Sequence, residues 1–226
     1  MTPPVPARVD VCIAGGGIVG LALARELALR GRSVAVLEAA RVGERAAAGV
    51  AAGMLAPASE ADLSDSRITP FALAAHAGYD EWAASLEQET GVEVGYDATG
   101  TLLVALHHDH LALLDHLHAF QRDRGLQAER LTAGEARAAE PYLAPTIAGG
   151  LRTADAQVDP RRVLRALAVA LERSGATLLE GARVTGLSGD GEDYEVIYER
   201  DGEPASLRAA QVVVAAGAWS RQIASA

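Results

Sequence analysis

One cysteine, Cys12, stands among 226 residues, so an intrachain disulfide is excluded. A reducing, cytoplasmic setting fits that usage. Positive charge is also scarce: 20 Lys and Arg face 30 Asp and Glu, a formal net charge of −10. A phosphate-rich partner would meet repulsion, which argues against nucleic acid and against an anionic membrane surface. No stretch comes near the ~20 apolar residues that a membrane span needs. The first eight residues are Pro-rich and lack the charged head and apolar core of a signal peptide.

What is present is apolar: 50% of the chain, enough to bury a sizeable core in one large domain or two small ones. Residues 9–14 read as a buried strand ending in glycines, 18–30 as a helix stopped by Gly31, and 33–38 as a second strand. Strand, helix and strand within about 30 residues make a βαβ unit. Residues 40–66 show no clean period and read as a long functional loop with a short helix inside. Further on, 69–90, 109–125 and 133–140 read as helices, and 96–106 and 148–153 as extended. Asp159-Pro160 opens a helix to Ser174, since Asp suits the N-cap and Pro the first turn. Short strands follow over 183–187, 194–199, 206–209 and 211–216, with Gly189-Asp190-Gly191 turning the first pair. The pattern predicts a doubly wound α/β, Rossmann-type nucleotide-binding domain carrying an inserted α+β region. The segments are 1–66, 67–150 and 151–226.

Gly15-Gly16-Gly17-Ile18-Val19-Gly20 is a G-x-G-x-x-G between that first strand and helix. Gly15 allows the tight turn, Gly17 lets a pyrophosphate approach the backbone, and Gly20 lets helix and strand pack closely. Glu38 ends the second strand, where a carboxylate can accept hydrogen bonds from ribose hydroxyls and would repel a 2′-phosphate. FAD and NAD share this fingerprint, and periodicity does not separate them. The loop Ala51-Ala52-Gly53-Met54 offers small residues where a flat ring could meet backbone, or a tightly packed helix. Met54 alone would also serve as a core gap-filler.

Several runs in one order carry a resemblance: Gly49-Val50-Ala51-Ala52-Gly53-Met54-Leu55-Ala56-Pro57, Gly100-Thr101-Leu102, Glu140-Pro141-Tyr142-Leu143, Gln157-Val158-Asp159-Pro160-Arg161 and Val213-Val214-Ala215-Ala216-Gly217-Ala218-Trp219-Ser220. Together they resemble the D-amino-acid oxidase family of FAD-dependent oxidoreductases, and within it the members that oxidise glycine for thiamine-thiazole synthesis. The resemblance implies non-covalent FAD. Ile18 and Val19 would lie under its pyrophosphate, Glu38 on the ribose and Ala39 beside the adenosine. Ala47 and Ala48 match hydroxyl residues near the phosphates in some members and could offer only backbone. Ala52, Gly53 and Met54 would pass beside the flavin, and Val184 would pair its backbone with the adenine edge. The implied reaction takes a hydride from the amine-bearing carbon of a small amino acid or amine. The imine is hydrolysed and molecular oxygen is reduced to hydrogen peroxide. No catalytic residue is assigned within the chain. The arginine that anchors the substrate carboxylate, and the second flavin motif, lie in the C-terminal part of such proteins. The resemblance therefore implies an N-terminal portion, with an exposed apolar sheet edge. D-amino-acid dehydrogenases and sarcosine oxidases share most of these motifs, and a non-catalytic nucleotide-binding chain is the alternative from another class. Whether the protein forms a homo-oligomer is left open by the sequence.

The histidines His107, His108, His110, His116 and His118 cluster without a zinc-type spacing, on a segment whose apolar face is Leu111, Leu114 and Leu117. They read as a solvated helix face. Trp82 and Trp219 read as packing residues.

Overall fold

The structure, a computed structural model, describes residues 5–61 and 68–224. The part of the expected 40–66 loop that falls on 62–67 lies outside the described residues. Along the chain run β1 (Arg8–Ala14), α1 (Ile18–Leu29), β2 (Val34–Glu38), β3 (Met54–Leu55), α2 (Ile68–Ala77), α3 (Tyr79–Thr90), β4 (Thr101–Ala105), α4 (His108–Asp123) and β5 (Ala128–Thr132). Then come α5 (Ala133–Ala139), β6 (Gly149–Thr153), β7 (Ala156–Gln157), α6 (Pro160–Ser174), β8 (Thr177–Glu180), β9 (Ala182–Gly189), β10 (Tyr194–Arg200), β11 (Glu203–Val214) and α7 (Ser220–Ala224). These elements form two compact units. One comprises Met1–Gly53, Ala84–Val94 and Asp159–Ala226, the other Met54–Ala83 and Gly95–Val158.

The first unit is built on a six-stranded sheet in the order β8-β2-β1-β11-β10-β9. β8, β2, β1 and β11 run parallel, and β10 and β9 are antiparallel additions. β1 and β2 are almost wholly buried, which is why both read as unbroken apolar runs rather than alternating ones. α6 is fixed at both ends. The Asp159 carboxylate accepts from the Arg161 and Arg162 amides at 2.9 and 3.3 Å, Pro160 fills the first turn, and Gly175 closes the helix at φ 75°. Its buried stripe, Val163, Leu167, Ala170 and Leu171, keeps helical spacing. α1 carries a buried Arg25, held by Glu89 at 2.7 Å and Ser85 at 3.0 Å.

β11 is one long strand where the sequence suggested two. Its first half pairs antiparallel with β10 and its second half parallel with β1, so the partner changes while the backbone continues. Pro204 is tolerated because it stands at the strand's start. β8 was not foreseen; its parallel pairing with β2 imposes extension on Thr177–Glu180.

The second unit centres on an antiparallel sheet, β4-β6-β5. Leu111 and Leu117 of α4 flank Leu114 and pack with Ala105 and Leu151 of the sheet, while His107, His108, His110 and His116 are exposed. Thr132 and Glu135 form a capping box at the start of α5. The helix expected over 69–90 is broken at Gly78 into α2 and α3. The unit begins at Met54 and ends at Val158, with β3 pairing with β7, and it leaves out Ala84–Val94, which belongs to the first unit although it falls inside the expected 67–150. Buried Asp155 reinforces that corner, accepting from the Ala58 and Ser59 amides at 2.9 and 3.1 Å and from the Thr153 hydroxyl at 2.6 Å. Among the described residues no helix is long and apolar enough to cross a membrane.

Candidate dinucleotide site

Chain order along the first sheet changes direction at β1: β2 lies on one side and β11 on the other. Such a switch leaves a crevice outside the carboxyl ends of the strands. Those ends are Ala14, Glu38 and Val214, tied together by Gly15 N–H to the Leu37 carbonyl at 2.9 Å and Ala215 N–H to the Ala14 carbonyl at 2.8 Å. Here the chain forms a cavity of about 570 Å³.

The glycine turn is the floor of this cavity, and sterics explain each position. Gly15 sits at φ 116°, and a Cβ there would be 2.5 Å from the Ala215 carbonyl oxygen. A Cβ on Gly20 would stand 2.0 Å from the Gly15 carbonyl oxygen, so α1 can start this close to β1 only without a side chain. Gly17 differs: nothing lies within 4 Å of its Cβ position, which opens on the cavity at the start of α1. Gly16 has a role the motif does not advertise. Its N–H donates to Glu38 Oε2 at 2.7 Å, and a Cβ would stand 2.9 Å from the Glu38 Cβ. Ala40 N–H donates to the other Glu38 oxygen at 3.0 Å. Two backbone donors thus fix the carboxylate while lone pairs remain for further donors.

Of the residues singled out in the sequence, Gly15, Gly17, Ile18, Val19, Glu38, Ala39, Ala47, Ala48 and Val184 all line this one cavity. Gly20 lies behind it, in the helix–strand contact. Ala52, Gly53 and Met54 are not in its wall; Met54 opens β3 opposite Gln157. The structure adds Arg45, Arg183, Thr185, Trp219, Gln222 and Ile223 to the wall. Trp219 is therefore not a packing residue: it is 49% exposed and faces the cavity. No pattern in the chain marks an isolated arginine or a strand-following tryptophan as cavity lining, since their placement depends on strands far apart in sequence. Beneath the floor, burial pushes the Cys12 thiol up to about 12, so it stays protonated and inert.

The donor set suits a dinucleotide: open backbone at a helix start for phosphate, a fixed carboxylate for ribose, and small residues elsewhere. Fold and cavity define a Rossmann-type dinucleotide-binding domain. Comparison with known proteins gives the particular family. Residues 10–226 match the profile of the FAD dependent oxidoreductase family that contains D-amino-acid oxidase, and the chain belongs to that family. It is 34% identical over 218 residues to glycine oxidase from Geobacillus kaustophilus, covering 96% of this chain and 56% of that protein. It is 32% identical to the bifunctional protein ThiO/ThiG of Synechocystis, covering 95% of this chain and 30% of that one. The crystal structure of the Geobacillus glycine oxidase superposes with a TM-score of 0.90 over 97% of this chain and 58% of its own. Glycine oxidase from Bacillus cereus superposes with a TM-score of 0.87 at 29% identity, covering 96% of this chain and 57% of that one. The chain thus spans a little over half the length of the glycine oxidases it matches.

Proposed function

We propose that the chain forms the FAD-binding part of an enzyme that oxidises glycine or a similar small amine, in the service of thiamine-thiazole synthesis. The imine product is hydrolysed, to glyoxylate in the case of glycine, and molecular oxygen leaves as hydrogen peroxide. One observation carries the reading: the open Gly17 backbone and the fixed Glu38 carboxylate share a cavity at the point where strand order reverses. The likeness to glycine oxidases over nearly the whole chain supports the substrate class.

FAD bound there supplies the acceptor for the hydride leaving the amine-bearing carbon. The chain's own residues bind and orient it. Backbone N–H groups at the start of α1, beside Ile18 and Val19, meet the diphosphate with the helix dipole behind them. Glu38 accepts from the ribose hydroxyls with the lone pairs that Gly16 and Ala40 leave unused. Ala39 flanks the adenosine, the Ala47 and Ala48 backbone lies near the phosphates, and Val184 presents its backbone to the adenine edge. Ala52, Gly53 and Met54 run beside the flavin, and the unit containing Met54 is part of the substrate domain. A cytoplasmic setting suits the single buried thiol.

The test is the visible spectrum of the purified chain after FAD is added and the excess removed, followed by peroxide release with glycine. A retained flavin spectrum is expected. A colourless protein, both as this chain and extended to the length of its relatives, would overturn the reading. Retained flavin without peroxide from glycine in the extended protein would remove the substrate class and leave the cofactor.

A further inference from the structure

The cavity wall holds three charged side chains: Glu38, Arg45 and Arg183. Glu38 is occupied by the Gly16 and Ala40 amides. Neither arginine has a hydrogen-bond or ion-pair partner among the described residues. With a net charge of −10, the chain as a whole repels a doubly anionic ligand. Binding one in this cavity needs a local excess of positive charge, and two unpaired guanidiniums beside a single carboxylate provide it. The neighbouring wall residues Ala46, Ala47 and Ala48 bring no side-chain donor, and the Thr185 hydroxyl already donates to the Ile197 carbonyl at 3.4 Å.

We propose that Arg45 and Arg183 bind the diphosphate of the dinucleotide, making its retention depend on guanidinium charge. This rests on the cavity being the cofactor site, as proposed above. Arg45 enters from the segment after β2 and Arg183 from β9, so the two approach from separate elements. Guanidinium forks match phosphate oxygens and give charge-assisted bonds that a lysine reproduces only in part.

The experiment measures Kd by flavin fluorescence for FAD, and by calorimetry for ADP and adenosine, at low and high salt. The proteins are the unmodified chain, Arg45→Gln, Arg183→Gln, the double variant and Arg45→Lys. Each Gln substitution should weaken FAD and ADP roughly ten- to hundredfold, and adenosine, which carries no phosphate, by less than about twofold. Arg45→Lys should recover only part of the loss, and salt should weaken the unmodified chain more than the double variant. FAD and ADP binding within about twofold of the unmodified chain in the double variant would overturn the arginine assignment and leave the cofactor site standing. Equal loss of FAD, ADP and adenosine would also overturn it, since the cavity rather than the charge would have been damaged. An unmodified protein that binds neither FAD nor ADP, both as this chain and extended to the length of its relatives, would overturn both readings together.

Discussion

Adding one methyl group at two places in the same turn should have opposite consequences. In Gly20→Ala the new carbon would stand 2.0 Å from the Gly15 carbonyl oxygen, so α1 and the turn must separate. Overpacking of this kind costs about 1–3 kcal/mol, and a clash against backbone belongs at the upper end. Alanine returns about 1 kcal/mol of helix propensity, leaving a net loss of about 2 kcal/mol. At a urea dependence of about 2–3 kcal/mol/M, the unfolding midpoint falls by roughly 0.7–1 M. In Gly17→Ala the carbon meets nothing within 4 Å, and the extended backbone at φ −75° accepts any residue. Its cost is that of a poorer N-cap, about 0.5–1 kcal/mol. Yet it points into the space where phosphate would come, so FAD should bind about tenfold more weakly or worse. Urea melts without cofactor and flavin titrations at matched conditions separate the two effects. If Gly20→Ala melts within about 0.3 M of the unmodified chain, or Gly17→Ala proves the less stable of the pair, the steric account of the turn is wrong.

The ion pair between α1 and α3 should be asymmetric. Arg25 has a side chain 4% exposed and Glu89 one 23% exposed, so Glu89→Ala leaves a buried cation with only the longer Glu26 carboxylate contact at 3.3 Å and should cost ~2–3 kcal/mol. Arg25→Met leaves a carboxylate that reaches water and should cost ~1 kcal/mol. Equal losses in urea melts would refute this ordering. The Thr132 amide and hydroxyl hold the Glu135 carboxyl below the usual range. Its stabilisation is therefore present above the unfolded value of about 4.3 and lost as pH falls through the lower folded value. The melting-temperature gap between the unmodified chain and Glu135→Ala should narrow on acidification below about pH 4; a gap that widens there would contradict the capping geometry. Burial of Cys12 predicts no reaction with a thiol reagent such as Ellman's reagent near pH 8 until urea unfolds the chain. Prompt labelling of the folded protein would place Cys12 elsewhere.

The parts of the fold that were legible in the sequence are those whose cause is local. β1, α1 and β2 announce themselves through an apolar run, helical spacing and three glycines with separate steric jobs. α6 does so through Asp159, Pro160 and Gly175. What escaped was imposed from a distance. β8 is extended because β2 pairs with it, β3 exists only opposite β7, and β11 continues through Ala209 and Ala210 because it changes partner there. Gly78 was passed over because an isolated glycine in an alanine-rich helical pattern is a weak signal until it ends one helix. In the site, Glu38 was recognisable by its position at the end of β2, but its bond to Gly16 was not, because a motif records spacing and not which N–H is left over. Arg45 and Arg183 look like ordinary surface residues until β9 and the segment after β2 are brought to one cavity.

The pairing of β1 with β11 matches Arg8 to Arg208, two hundred positions later. On a ribosome adding about 5–20 residues each second, β1 would emerge some 10–40 s before its central neighbour exists. Throughout that interval the Gly15 turn lacks the Ala215 backbone against which it is shaped. The nucleotide cavity, though its signature is written at the start of the chain, is thus completed late, and β1 spends the delay as an apolar strand with one open edge. Nascent chains of this protein should therefore lean on holding factors more than their short βαβ opening suggests, and cofactor capture should follow synthesis of β11 rather than accompany that of β1.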